Sequence, residues 1–120
     1  MAWSLPEGGE PLKFLRPGHS PDLLRKLRRG HWRAEDELDL HGLNRIQAGY
    51  AVSGFLEQAV SQGMRCVRVV HGKGNGSPGR AAVLKDKVRG WLVQKREVLA
   101  FVQARASDGG SGALVVLLRA

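Results

Sequence analysis

A chain of 120 residues with 42% hydrophobic content and a formal net charge of +8 suits one domain with a core adequate for independent folding. No stretch approaches the roughly 18 apolar residues of a membrane span, and the start lacks a charged-then-apolar secretory pattern, so a cytoplasmic protein with no membrane partner is expected. The single cysteine, Cys66, can close no internal disulfide and lies in an apolar run, as a buried thiol in a reducing compartment would.

The charge is unevenly spread. Residues 1–33 hold seven Lys/Arg against three acids, and residues 64–120 hold eleven against three. Between them, residues 34–63 carry five acids and one Arg. A basic body with an acidic stretch running into Asp39 fits a polyanion binder with a carboxylate at its site.

Residues 1–19 read as a mobile arm, because three of the five prolines fall among the first twenty residues and no apolar period accompanies them. Residues 20–33 form a basic helix and linker. Ser20 suits the N-cap, Pro21 the first helical position and Gly30 the end, with Leu23, Leu24 and Leu27 as the apolar stripe. Arg25, Lys26, Arg28 and Arg29 are its cations, suited to nucleic acid or to a solvated face. Trp32 offers a ring for base stacking or an anchor for the linker.

A short strand is predicted at Glu37–Leu40, with Leu38 and Leu40 facing one way and Asp39 with His41 the other. Gly42 ends it. Asn44 and Gln47 form a reciprocal cap for a helix reaching about Gln62, whose buried stripe is Ala48, Val52, Phe55, Leu56 and Ala59. The β-branched run Cys66–Val70 makes a second strand, parallel to the first because a helix lies between them.

His71 opens a glycine-rich loop containing Gly72, Lys73, Gly74, Asn75 and Gly76. The backbone of such a loop approaches an anion closely, and the helix beginning at Ser77-Pro78 aims its positive end there, with Arg80 and Lys85 on its first turns. Val98–Val102 and Ala113–Leu118 close the chain as an antiparallel hairpin, since the loop between them is too short for a crossover helix. The expected fold is α/β, a two-layer sandwich of order β-α-β-α-β-β with a four-stranded mixed sheet plus the N-terminal basic helix.

Adjacent parallel strands present their carboxyl-end loops side by side, where ligands bind. Asp39, His41 and His71 should therefore converge, with Gly42 and the glycine loop around them. Two imidazoles and a carboxylate can move protons near neutral pH, and the lysine with loop amides can hold phosphate. The literal G-x-G-x-x-G at Gly74–Gly79 would suit a dinucleotide, but no acid ends the next strand and no second mononucleotide half follows. A divalent metal on Asp39, His41 and His71 is a competing reading. No second carboxylate stands in either motif, so no cofactor is expected.

Asp39-Leu40-His41-Gly42, His71-Gly72-Lys73-Gly74 and Gly109-Gly110-Ser111-Gly112-Ala113, in that order, resemble the three signatures of the Smr (small MutS-related) domain, over roughly residues 20–120. The resemblance implies a nuclease domain over residues 34–120, with Asp39, His41 and His71 as its catalytic groups. It implies a substrate of RNA or DNA and the stalled ribosome as a larger partner; a monomer is expected. The alternative is a non-catalytic RNA- or ribosome-binding module using the same patch.

Overall fold

The computed structural model describes residues 12–72 and 78–120, without the side chains of residues 78–82. Its elements run β1 (Lys13–Leu15), α1 (Asp22–Arg29), β2 (Glu37–Asp39), α2 (Arg45–Ser61), β3 (Cys66–Val70), α3 (Pro78–Gln94), β4 (Val98–Gln103) and β5 (Ala113–Leu118), with two short 3-10 turns between the last two strands. One mixed sheet of five strands has the order β1-β4-β5-β3-β2. β2 and β3 are parallel, and the other neighbours are antiparallel.

Two expectations need correction. The sheet has a fifth strand, β1, which comes from the segment read as a mobile arm. Lys13, Phe14 and Leu15 pair with Val102, Phe101 and Ala100. Arg16 then pins the segment: its Nε donates to the Val98 carbonyl at 2.8 Å, and its Nη2 to the carbonyls of Val93 (2.7 Å) and Lys95 (2.9 Å). The Val93 and Lys95 carbonyls lie at the carboxyl end of α3, which favours a cation there, and the Val98 carbonyl opens β4.

The second correction concerns layers. On one face of the sheet, Val52 and Leu56 of α2 and Val88 and Leu92 of α3 pack with Val67, Val69, Phe101, Leu114 and Val116. On the other face, Leu27 of α1 is buried with Cys66, Ala100, Val102 and Leu117, flanked by Leu23, Leu24 and Trp32. Helices thus cover both faces, making three layers instead of two. This is why β3, β4 and β5 carry consecutive apolar residues where a half-exposed strand would alternate.

Local signals mostly act as read. Asn44 Oδ1 accepts the Gln47 N–H at 2.8 Å, and Gln47 Oε1 accepts the Asn44 N–H at 3.0 Å, completing the cap of α2. α1 starts one residue later than expected. Pro21 occupies the N-cap, and the Ser20 hydroxyl accepts the Asp22 N–H at 3.2 Å.

Candidate active site

β2 and β3 end side by side. Asp39 stands opposite Val70, and the Leu40 N–H donates to the Val70 carbonyl at 2.8 Å, so His41 and His71 both follow directly on the paired strands. Each chain then leaves through a glycine at positive φ, Gly42 at 83° and Gly72 at 92°, a region that other residues enter at a cost of about 1–2 kcal/mol. Leu40 to Leu43 close a turn through the Leu43 N–H on the Leu40 carbonyl at 3.0 Å. His41 occupies the second position of that turn and Gly42 the third, so the imidazole is carried outward and exposed.

Asp39 does not hold the His41 ring. Its Oδ1 accepts the backbone N–H of His41 at 2.8 Å, an Asx turn that fixes the loop. Asp39 is exposed, while Leu40 between the two polar residues is fully buried, as strand alternation requires.

His71 is placed differently from His41. It is 4% exposed, and its Nδ1 lies 2.9 Å from the Gly72 carbonyl, which makes Nδ1 the protonated nitrogen. Its Nε2 is buried with no hydrogen-bond partner among the described residues. Burial lowers its pKa from the usual 6.5, the Gly72 carbonyl opposes this, and the Lys85 ammonium on α3 lowers it further. Burial thus favours the neutral imidazole. Among the described residues, no three His, Cys, Asp or Glu side chains gather as a metal would need. Asp39, His41 and His71 share an edge of the sheet without forming one ligand cluster.

The third glycine motif has a role that its sequence did not disclose. The Gly112 carbonyl accepts the N–H groups of both His71 (2.9 Å) and Gly72 (3.0 Å), tying the loop after β3 to the start of β5. Lys73, Gly74, Asn75 and Gly76, expected to cradle phosphate, lie outside the described residues, as does the side chain of Arg80. Lys85 on α3 is half-buried, and its charge acts on His71. On α1, Arg25 pairs with Asp22, whose carboxyl is held below its usual range by that guanidinium, while Lys26, Arg28 and Arg29 are exposed.

Sequence reasoning passed over Arg68. It sits in β3 opposite Glu37, on the same face as Asp39, and donates to Glu37 Oε1 at 2.6 Å. An arginine in the middle of a β-branched run, with an acid on the neighbouring strand, was the available signal.

Paired motif turns at the carboxyl ends of two parallel strands define a small mixed α/β domain with its polar site on one sheet edge. The Smr domain family model matches residues 38–119, and the chain belongs to that family. It is 40% identical over 108 residues to the ribosome rescue factor SmrB of Pectobacterium carotovorum, covering 90% of this chain and 57% of that protein. The chain thus spans a little over half the length of the curated relatives it matches. Its structure is similar to that of YdaL, a stand-alone small MutS-related protein from Escherichia coli, with a TM-score of 0.83, 34% identity and coverage of 94% of this chain and 86% of that one. The Smr domain of Thermus thermophilus MutS2 matches with a TM-score of 0.63 and 35% identity, over 71% of this chain and 99% of that domain. No helix among the described residues is long and apolar enough to cross a membrane.

Proposed function

We propose that this chain is an endonuclease domain that cleaves phosphodiester bonds of RNA or DNA, acting in the cytoplasm on nucleic acid at the ribosome. The observation that carries this is the exposed Asp39–His41 turn, set beside the loop that follows β3. The net charge of +8 and the relatives named as ribosome rescue factors support the substrate class and the setting.

In this reading His41 meets the substrate. Its imidazole removes a proton from the attacking oxygen, the 2′-hydroxyl when the substrate is RNA; that oxygen bonds to phosphorus as the P–O5′ bond breaks, and water gives the departing 5′-oxygen its proton. Asp39 sets the turn that presents the ring, and its carboxylate favours the imidazolium that forms. Lys73 and the loop amides stabilise charge on the phosphate. His71, expected among the catalytic groups, is assigned a positioning role: its buried neutral ring and the Gly112 carbonyl hold the loop in place.

Matched labelled RNA and DNA oligonucleotides, with and without chelator, test the reading through the ends of their products. Attack by the 2′-oxygen leaves a 5′-hydroxyl on the downstream RNA fragment, and a 2′-deoxy substitution at the cleaved nucleotide blocks it. A 5′-phosphate product would replace this route with attack by water. No turnover of either substrate would leave a phosphate-binding module.

A further inference from the structure

We infer that the cleft between the end of α1 and the β3–β5 surface is a nucleotide subsite, holding the nucleotide next to the one attacked. The inference rests on the nuclease reading for its substrate and on separate residues for its geometry.

The cleft has a volume of about 320 Å³, and its polar wall is formed by Arg28, Trp32, Arg33, Arg68, Arg105 and Asp108. That is at the small end of ligand pockets, suited to one nucleotide unit and too small for a double helix. Its position is built into the fold. Arg105 Nε donates to the Arg28 carbonyl at 3.0 Å, fixing the end of α1 against the turn after β4. Arg68 Nη1 lies 3.8 Å from Asp108 Oδ1, which joins the sheet to the same turn. Arg28 and Arg33 enter no ion pair among the described residues, so they retain their charge for a ligand.

The residue types choose the ligand. Guanidinium groups bind phosphate through paired N–H donors and stack on flat rings. Trp32 adds an aromatic wall. Asp108 would repel an acidic peptide, yet its carboxylate can accept from the amino group of a base.

Register ties this cleft to the catalytic turn. Glu37, Arg68, Val115 and Val102 form one row across the sheet, and Asp39, Val70 and Ala113 form a second row on the same face. The rows are two residues apart, about 6.6 Å along a strand. A single-stranded backbone crosses that span in about one nucleotide, so a base seated in the cleft brings an adjoining phosphate toward Asp39 and His41.

The test uses the whole chain and a 2′-O-methyl RNA oligonucleotide, whose own 2′-oxygen cannot attack. Two variants are compared: R28Q/R33Q in the cleft, and R96Q/R119Q, which removes equal charge from exposed residues at the opposite end of β4 and β5. Titration is expected to shift the Trp32 indole N–H resonance. R28Q/R33Q should weaken binding about tenfold and flatten the log–log salt slope by about 1.4, from two phosphate contacts on a single strand. R96Q/R119Q should weaken it less than about threefold. An unmoved Trp32 signal, or equal losses in the two variants, overturns the subsite. If Trp32 shifts while RNA and DNA both go uncut, the subsite stands and the nuclease reading fails.

Discussion

The Oδ1 oxygen of Asp39 accepts the backbone N–H of His41 at 2.8 Å, so this acid shapes the turn that carries the imidazole. Geometry and charge can be separated by substitution. Asp39→Asn keeps an oxygen for the amide and loses the negative charge, while Asp39→Ala loses both. Asp39→Ala should lose about 1 kcal/mol of stability in urea melts, with Asp39→Asn close to wild type. Both should slow single-turnover cleavage. Wild-type rates in Asp39→Asn would show that the carboxylate acts through the turn alone.

Arg16 should prove a major contributor to stability despite its place in a Pro-rich leader. Its guanidinium serves three carbonyls, those of Val93, Lys95 and Val98, and sits 5.1 Å from the Phe14 ring. Arg16→Ala should cost about 2–4 kcal/mol by urea denaturation. Deleting residues 1–19 should cost more, because it also removes β1 from the sheet. A melting curve unchanged by either would contradict the docking of this segment.

The contrast between Arg16 and Asp39 shows what the sequence could disclose. Cys66–Val70 was readable to the residue because five largely β-branched positions admit little else, and Asn44 with Gln47 announced a cap through a local pairing. Asp39 and His41 stood out through strand alternation. β1 was hidden because Lys13-Phe14-Leu15 is a strand only by virtue of β4, more than eighty residues away. The leucine stripe of α1 showed that the helix packs but not onto which face of the sheet. The burial of His71 and its contact with the Gly72 carbonyl were hidden for a related reason, because tertiary packing sets both.

His71 gives the fold a defined response to acid. Its folded pKa is lowered, chiefly by burial, below the usual 6.5 that it regains on unfolding. Between those two values the unfolded chain binds more protons, so stability is complete above about pH 6.5 and falls as pH drops below it. His71→Asn, whose amide can still donate to the Gly72 carbonyl, removes the titrating group. Urea midpoints from pH 7.5 to 5 should fall more steeply for wild type than for this variant. Parallel curves would contradict the buried placement.

Cys66 should be inert in the native protein. It is fully buried between β2-side and β5-side neighbours in the sheet, and burial together with the Glu35 carboxylate raises its pKa to about 11. Thiol reagents at pH 7.5 should label it slowly when folded and rapidly in urea. Fast native labelling would mean that α1 lifts readily from the sheet.

In the proposed function the exposed imidazole of His41, at the end of β2, performs the chemistry. The most direct measurement is the single-turnover cleavage rate of His41→Ala on a labelled oligonucleotide, taken at protein concentrations well above a Kd measured on the same sample. Loss of a positioned acid–base group should slow the step by about 10²- to 10⁴-fold with Kd nearly unchanged. A saturated rate equal to that of wild type would contradict the account.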